Sequence, residues 1–544
     1  RRRRLEVEVP IVIPWCLLLV VISRLEFLGE RQDHLEVNTK YGRLRGKLAG
    51  VEGVDKPVKS FLGVPFAKSP TGSLRFSSPQ PAEPWSYVRD CTSQPPMCLQ
   101  DLGWLDAFRT LMNATLSNLT VAEDCLYLNI FTPDTEAKLP VMVWLHGGGL
   151  VNGGASLYDG SALSAYGNVV VVVLQYRLGI LGFLSTGSQE APGNWGLLDQ
   201  VAALQWVQEN IEAFGGDPSC VTIFGESAGG FSVGILSPLS KGLFHRAISE
   251  SGSVLLPGIF IQHPEILAQK VASAANCDPT SPAMLLCLRN KTEGELKSLE
   301  LHFIPAVVDG EFILKAPEEL LASKELHAVP YLIGVNNNEY GWLIYMPKSK
   351  TTVSVSTYIF ISWQNYPPEI MQMILDKYLE ATEDPIELRS QFQKLMEDAI
   401  FVVPSLQTAR YHRDSAAPVY FYEFQHRPIA FRDKKPDFVK ADHGDELGFV
   451  FGGPFLRSSE ATEEEKRLSR TIMKYWSNFA RNGNPNGEGL VEWPQYGLHE
   501  EYLELNLEQR KSEKLRNSYV DFWLKTLPEK IKTIIEEEKT HPEL

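Results

Sequence analysis

The stretch Val221–Gly229, with the sequence VTIFGESAG, decides the fold of this 544-residue chain. Four residues typical of a strand run directly into the pattern Gly-x-Ser-x-Gly, and small residues that can open a helix follow. So tight a strand-to-helix turn holds its central serine in a strained conformation, and the glycines remove side chains that would clash. The Ser227 hydroxyl would then stand exposed above a sheet, beside a helix N-terminus that stabilises negative charge. The pattern by itself also fits an ordinary glycine-rich turn, but the preceding strand favours a nucleophile.

A second glycine-rich segment provides the hydrogen-bond donors that a serine nucleophile needs. Met142–Leu145 is predicted to be a strand, and His146–Gly149 (HGGG) follows it directly. In α/β hydrolases, backbone N–H groups of such a loop bind the negatively charged oxygen of the tetrahedral intermediate. Glycines leave these N–H groups unshielded. We therefore expect an oxyanion loop here, with His146 in a structural rather than a catalytic role.

Short apolar runs recur along the chain in the manner of strands buried on both faces of a parallel sheet. They cover residues 142–145, 169–174, 221–224, 331–335 and 419–424. Between 169–174 and 221–224, apolar residues from Leu197 to Ile211 recur at helical spacing, Asn194 can cap the helix start, and Gly215-Gly216 follows its end. Strand, helix and strand form a crossover unit, so we predict the α/β class, with a central, largely parallel sheet flanked by helices. No repeat or linker divides the chain, and residues 32–540 are expected to form one domain.

The partners of the serine are less well determined. In this fold the triad runs in the order serine, acid, histidine. Glu339 follows the strand 331–335 and His443 lies beyond the strand 419–424, which puts both at the same sheet edge as Ser227. Position alone leaves Asp445 and Glu446 as competing acids, and ten other histidines as competing bases.

Composition excludes several other functions. Hydrophobic residues make up 44% and charged residues 22%, which is ordinary for a globular protein and excludes disorder. Acidic residues outnumber basic ones by 67 to 52, and no basic stripe stands out that could neutralise phosphates, so no nucleic-acid partner is expected. No cofactor, metal or transmembrane span is expected either.

Both ends of the chain resemble targeting signals. Arg1–Arg4 precede a twelve-residue apolar run, Ile11–Ile22, which is too short to span a membrane but suits a signal peptide cleaved after Ser23. The segment 1–23 is therefore predicted to be signal-like. The tail His541–Leu544 (HPEL) resembles an endoplasmic-reticulum retrieval signal, read by a retrieval receptor. Together they predict a protein of the endoplasmic-reticulum lumen.

Two further features suit that compartment. Asn113, Asn118 and Asn290 each begin an N-glycosylation sequon. Six cysteines follow the predicted signal, and an oxidising lumen permits disulfides, although the sequence alone allows 15 pairings of six.

Longer motifs make the chain resemble the type-B carboxylesterase family from Thr39 to the C-terminus, in particular the animal liver and intestinal enzymes. The motifs are Pro96–Asp101, Glu123–Ile130, Phe224–Gly230, Gly334–Glu339, Lys440–Glu446 and Asn482–Gly489. The resemblance implies an α/β-hydrolase fold and a serine ester hydrolase that acts on uncharged esters, thioesters or amides through an acyl-enzyme. Alternatives on the same fold are an acylglycerol or cholesteryl-ester lipase, a cholinesterase, and a non-catalytic adhesion protein like the neuroligins. A cholinesterase is expected to carry a choline-binding tryptophan where this chain has Thr115.

The resemblance also assigns roles to individual residues. It implies Ser227 as nucleophile, His443 as general base and Glu339 as the acid that orients the imidazole. The implied oxyanion donors are the N–H groups of Gly148, Gly149 and Ala228, and Glu226 and Ser251 match polar positions beside the triad. The implied disulfides are Cys91–Cys125 and Cys277–Cys287, with Cys98 and Cys220 free, and Arg75 and Glu123 match a buried ion pair. The segment from Gly230 to Pro238 is about two residues shorter than in the family, so the helix there is expected to rotate, loop out or restart.

Overall fold

The structure, a computed structural model, describes residues 35–103, 119–235, 240–299, 305–325, 327–345, 366–380, 382–456 and 461–540. Its strands are β1 (Glu36–Asn38), β2 (Arg43–Arg45), β3 (Lys47–Val51), β4 (Val54–Pro65), β5 (Val88–Asp90), β6 (Met97–Cys98), β7 (Val121–Ala122), β8 (Tyr127–Thr132), β9 (Leu139–Leu145), β10 (Val170–Leu174), β11 (Gly216–Glu226), β12 (Arg246–Glu250), β13 (Phe260–Ile261), β14 (Ala306–Val307), β15 (Tyr331–Asn336), β16 (Val419–Phe424), β17 (Glu501–Leu505) and β18 (Arg510–Glu513). The predicted signal segment, the C-terminal tail, Thr115 and the sequons at Asn113 and Asn118 lie outside the described residues.

The helices connect these strands and cover the sheet. The α-helices are Ser161–Gly167, Gly179–Phe183, Trp195–Asn210, Ala228–Ile235, Pro264–Ala274, Ser281–Arg289, Glu293–Lys297, Pro317–Ala322, Gly341–Tyr345, Pro368–Tyr378, Pro385–Glu397, Val403–Asp414, Leu447–Val450, Glu463–Asn482, Asn517–Asp521 and Leu527–Thr540. Short 3₁₀ turns are Gly72–Leu74, Ala155–Leu157, Ile211–Phe214, Ile429–Phe431 and Gly453–Phe455, and π-helical turns are Asp398–Val402 and Phe522–Thr526.

An eleven-stranded sheet carries the fold in the described part of the chain, in the order β18-β17-β16-β15-β12-β11-β9-β10-β8-β4-β3. The strands from β17 to β10 in that order are all parallel, and antiparallel strands extend the sheet at both ends. Every residue of β9, β10, β15 and β16 is buried, as continuous apolar runs predict. The predicted α/β fold is confirmed.

Successive side chains along each strand point to opposite faces of the sheet, so the hydrophobic core is divided between the two faces. In β9, Val141 and Val143 face the crossover helix Trp195–Asn210, while Met142 and Trp144 face the helix Glu463–Asn482. A third apolar cluster joins the C-terminal helix Leu527–Thr540 to the helices around residues 370–400. None of the helices within the described ranges is long and apolar enough to cross a membrane.

Asn194 occupies the N-cap position of the crossover helix, as predicted, but its side chain does not cap the helix. Its backbone lies in the left-handed region, with φ of 58°, and its side chain makes no capping hydrogen bond. The amide instead donates to the carbonyl of Val307 at 2.9 Å and accepts from the N–H of Val307 at 3.1 Å. The side chain therefore joins the helix start to β14 instead of turning back on the helix.

The first disulfide also differs from the expected pairing. The structure joins Cys98 to Cys125, with 4.9 Å between their Cα atoms, and leaves Cys91 as a buried free thiol. Cys98 lies in β6, which pairs with β7. Because β7 ends three residues before Cys125, this pairing brings Cys98 close to Cys125. Cys91 is held elsewhere, because its N–H donates to Arg45 and its carbonyl accepts from Leu62.

Three other expectations can be compared with the structure. Cys277–Cys287 forms as expected, and Cys220 is free. Arg75 and Glu123 form the expected buried ion pair. The helix after Ser227 runs over Ala228–Ile235, and residues 236–239 lie outside the described ranges.

Candidate active site

Ser227 sits at the turn between β11 and the helix Ala228–Ile235. Its φ of 56° lies in the left-handed region that side-chain-bearing residues rarely adopt. The turn is closed by the Ser227 N–H, which donates to the Glu250 carbonyl at 2.9 Å. A Cβ at Gly229 would lie 2.0 Å from the Leu145 carbonyl oxygen, so only glycine permits this packing of the turn against β9. The strained elbow expected from the sequence is present.

The glycine loop after β9 lies directly against this turn. A Cβ at Gly147 would come within 3.1 Å of the Ser227 Cβ. Gly148 has a φ of 106°, and its carbonyl accepts from the N–H groups of Val151 and Asn152, which turns the loop back on itself. Within the described residues, the N–H groups of Gly148 and Gly149 donate no hydrogen bond. These two N–H groups, and that of Ala228 at the first position of its helix, therefore have no acceptor among the described residues and have the chemistry to bind an oxyanion.

The His146 side chain packs against the protein interior at the start of this glycine loop. Its ring is completely buried and stacks on Tyr176, with 4.3 Å between the ring centroids. Nδ1 lies 2.9 Å from the Gly147 carbonyl oxygen, and the Tyr176 hydroxyl donates to the His146 carbonyl at 2.8 Å. Burial lowers the pKa of His146 to about 4, so the imidazole is neutral at physiological pH. This geometry fits the structural role expected for His146.

Of the acids left open by the sequence, the structure places Glu339 against the base. Glu339 Oε2 lies 2.7 Å from His443 Nδ1, and Glu339 Oε1 accepts from the Asn336 N–H at 2.6 Å. Asp445 is engaged elsewhere, with Lys435 Nζ 2.6 Å from its Oδ1. Glu446 accepts a hydrogen bond from the Asn336 side-chain amide.

The other side of the imidazole faces a second carboxylate. Glu226 Oε1 lies 3.0 Å from His443 Nε2, and the hydrogen bonds among the described residues include none between the Ser227 hydroxyl and His443. Burial alone would lower the pKa of His443, but the charge of Glu226 and the hydrogen bond to Glu339 raise it to about 9. Burial raises the pKa of Glu226 to about 7, against the opposing effect of His443. The resting site therefore favours an imidazolium held between two carboxyl groups.

Ser251 lies behind the elbow. Its N–H donates to the Gly334 carbonyl at 2.9 Å, and its φ is 48°. Its hydroxyl is buried and has no hydrogen-bond partner in the part of the chain that the structure describes. The next residue, Gly252, packs so closely that a Cβ there would lie 2.1 Å from the Ser227 carbonyl oxygen.

Lys435 fixes the loop that carries His443 and was not identified from the sequence. Lys435 is buried, and its Nζ lies 3.1 Å from Asp442 Oδ2 as well as close to Asp445. Asp442 Oδ1 accepts from the N–H groups of His443 and Trp342. This carboxylate therefore joins the loop that carries His443 to the segment that follows Glu339. The pattern Asp-His-Gly-Asp could have drawn attention to the acids, but nothing in the sequence marked Lys435.

Two aromatic side chains enclose the imidazole. The ring centroid of Phe401 lies 4.6 Å from that of His443, and the Trp342 ring lies parallel to it at 6.0 Å. No group of three or more His, Cys, Asp or Glu residues within the described ranges is arranged to hold a metal ion. The arrangement suits nucleophilic acyl transfer, with a strained serine, a histidine oriented by a carboxylate, and free N–H donors.

Comparisons with known proteins agree with this chemistry. Residues 33–523 match the model of the carboxylesterase family. The chain is 50% identical to a medium-chain fatty acyl-CoA hydrolase precursor of Anas platyrhynchos, over 93% of this chain and 95% of that protein. It is 48% identical to human carboxylesterase 3, over 95% of this chain and 94% of the relative. Human cocaine esterase is also 48% identical, over 97% and 98%.

Proposed function

Since the chain belongs to the carboxylesterase family, a family of carboxylic ester hydrolases, we propose that it cleaves uncharged esters and thioesters through an acyl-enzyme on Ser227. The observation that carries this assignment is the contact of 2.7 Å between Glu339 and His443 Nδ1, at the sheet edge where β11 presents Ser227. That contact supplies the oriented base without which a serine hydroxyl is a poor nucleophile.

The geometry supports a two-step reaction. In its neutral form, His443 accepts the Ser227 proton at Nε2 while the hydroxyl oxygen attacks the substrate carbonyl carbon. The N–H groups of Gly148, Gly149 and Ala228 stabilise the resulting oxyanion. The imidazolium then protonates the leaving alcohol or thiol, and water attacks the acyl-enzyme with His443 again as the base. The bond between the acyl carbon and Ser227 Oγ then breaks, His443 returns a proton to Oγ, and the carboxylic acid leaves. Glu339 stabilises the imidazolium in both steps.

The names of the relatives and the walls of the site support the substrate class. Relatives are named for hydrolysis of a fatty acyl thioester and of the ester cocaine. Phe401 and Trp342 place aromatic surface beside the base, which favours apolar substrate groups. Buried Glu226 and Glu339 add negative charge that disfavours anionic groups next to the reacting carbonyl.

Replacement of the nucleophile tests this proposal. Ser227→Ala should lower turnover of a p-nitrophenyl ester and of an acyl-CoA thioester by about 10⁶-fold and abolish labelling by a fluorophosphonate. Ser219→Ala is a matched control, because Ser219 is an exposed serine on the same strand. A folded Ser227→Ala enzyme that retained a few per cent of activity would show that another group is the nucleophile.

We also propose that the protein is a glycoprotein of the endoplasmic-reticulum lumen, retrieved through His541–Leu544. Asn290, at the end of the helix Ser281–Arg289, is exposed and accessible to a glycan. In cells, an enzyme that removes high-mannose glycans should increase the electrophoretic mobility of the protein, and deletion of the tail should release it into the medium. Retention of the tail-deleted protein would contradict the retrieval role.

A further inference from the structure

Two carboxyl groups that the proposed reaction does not use are buried beside the active site. Glu250 ends β12, one strand beyond Glu226 on β11, and the two residues are direct register partners. Glu446 lies three residues after His443. Glu250 and Glu446 are 0% and 1% exposed. Side chains of register partners point to the same face of the sheet, so Glu226 and Glu250 are neighbours at about 4.8 Å strand spacing.

Each of these carboxyl groups has one satisfied oxygen and one without a partner. Glu250 Oε1 accepts from the Trp476 indole N–H at 2.7 Å, and Glu446 Oε2 accepts from the Asn336 amide. Glu250 Oε2 and Glu446 Oε1 are buried and have no hydrogen-bond partner among the described residues, and the same holds for the Tyr422 hydroxyl. Buried polar atoms are rarely left without a hydrogen bond. These three oxygens therefore require either a proton on one of the carboxyl groups, which can then donate, or an ordered water molecule.

The sheet register places Glu250 and Tyr422 on either side of β15, and Glu446 is joined to the end of the same strand through Asn336. Glu250 pairs with Gly334 on β15, and Gly334 pairs with Tyr422 on β16. A Cβ at Gly334 would lie 2.2 Å from the Tyr422 ring, so the ring occupies the space above the glycine. The tyrosine is thereby turned across β15 towards the strand of Glu250.

Within the described ranges, the charged groups that act most strongly on the pKa values of Glu250, Glu446 and Tyr422 are carboxyl groups. They are Glu250 and Glu446 themselves, together with Glu226 and Glu339. Two carboxylates in a buried site repel each other and lose their hydration, and a shared proton removes the repulsion and halves the buried charge. An ionised carboxylate can only accept hydrogen bonds, whereas a protonated one donates to an oxygen that is otherwise unsatisfied.

We propose that Glu250 and Glu446 hold one proton between them, directly or through ordered water beside Tyr422, so that the negative charge next to His443 stays at the two carboxyl groups that contact it. Glu250 is then a positioning residue, which acts on the base through Glu226. This effect on catalysis rests on the proposed function, whereas the buried proton does not.

The direction of the shifts agrees with this geometry. Burial raises the pKa of Glu250 to about 8, and burial together with Glu250 and Glu226 raises the pKa of Glu446 well above its usual value. As the pH rises into the alkaline range, the shared proton leaves, and the additional negative charge strengthens the hold of His443 on its own proton.

Charge measurement on the folded protein tests the buried proton without reference to activity. At pH 7, Glu311→Gln, at an exposed glutamate, should make the native protein less negative by one charge in capillary electrophoresis. Glu250→Gln and Glu446→Gln should each leave the net charge unchanged, because the remaining carboxyl group ionises when its partner no longer shares the proton. The double variant should change the charge by one. A full unit of change in either single variant would overturn the proposal, so one variant suffices if the other does not fold.

The pH profile tests the link to the base. The acid limb is the pH range in which kcat/KM rises as His443 loses its proton. Glu250→Gln cannot gain the second negative charge at alkaline pH, so His443 should lose its proton more readily and the acid limb should move to lower pH by about one unit. Glu311→Gln should leave the limb in place. An unmoved limb in folded Glu250→Gln would refute the positioning role. If Ser227→Ala were active, the proposed function would fail while the charge result stood unaffected.

Discussion

Glu226 is the side chain whose neutralisation should change the acid–base chemistry of the site most directly. Its Oε1 lies 3.0 Å from His443 Nε2, and the side chains of His443 and Glu226 are only 10% and 8% exposed. At an effective dielectric constant of about 20, unit charges at that distance attract by ~5 kcal/mol, which is an upper bound. Because the pKa of Glu226 is itself raised to about 7, the pair is only partly charged near neutral pH. We therefore assign about half of this energy to the pKa of His443, which corresponds to about two pKa units.

The expected result for Glu226→Gln is a fall in the pKa of His443 from about 9 to about 7. Below its pKa the histidine is protonated and cannot accept the Ser227 proton, so kcat/KM rises with pH through that value. The acid limb should thus move down by about two pH units. The alkaline plateau should fall about tenfold, because a less basic imidazole accepts a proton less readily.

The assay is kcat/KM for a neutral ester, measured across the pH range in which the folded variant is stable, with Glu311→Gln as the surface control. Neutral substrate removes titration of the substrate itself. If the acid limb of the variant stayed within a few tenths of a pH unit of the wild-type limb, Glu226 would not set the basicity of His443. The reasoning from the 3.0 Å contact would then be refuted.

Four further substitutions address the proposed acid, the loop that carries His443 and the first disulfide. Glu339→Gln should lower kcat at least a hundredfold in steady-state kinetics, since loss of the equivalent charge in an Asp-based triad costs about 10⁴; near-normal kcat would exclude Glu339 as the acid. Lys435→Met leaves two buried carboxylates unpaired and should lower the free energy of unfolding by about 3–5 kcal/mol in denaturant titrations, and an unchanged midpoint would contradict the ion-pair geometry. Cys98→Ser should abolish one crosslink in a non-reducing peptide map and cost about 3.5 kcal/mol for a loop of 27 residues. Cys91→Ser should preserve both crosslinks, and loss of one would restore the pairing expected from the sequence.

The fold and the strained turn at Ser227 could be predicted because their signals are local. Continuous apolar runs identify strands buried on both faces, and the elbow at Ser227 and the glycine loop after β9 are each contiguous in sequence. Both motifs directly follow their strands, so the parallel order of the sheet brings them to one edge. The crossover helix was predicted for the same reason, since its apolar positions repeat along a single segment.

The carboxylate that contacts His443 and the first disulfide depend on contacts between distant segments. Asp445 and Glu446 lie only two and three residues after His443, but Lys435 engages one and Asn336 the other. Cys98 meets Cys125 because two-residue strands pair, and such short strands have no pattern that a sequence shows. The cap expected at Asn194 failed for a related reason, because a distant strand binds its amide.

The elbow motif itself explains why His443 contacts two carboxyl groups. Glu226 and Ser227 are consecutive, so the strained turn that presents the hydroxyl also fixes the carboxylate at the end of β11. A Cβ at Gly147 would lie 2.5 Å from Glu226 Oε2, which means that the oxyanion loop confines this carboxylate from the other side. In the proposed reaction, Glu226 therefore cannot move far when His443 takes up the Ser227 proton, and its charge would stabilise the imidazolium as it forms. We expect the same contact to raise the pH at which His443 becomes neutral, so that one residue of the turn sets both the transition-state stabilisation and the pH range of activity.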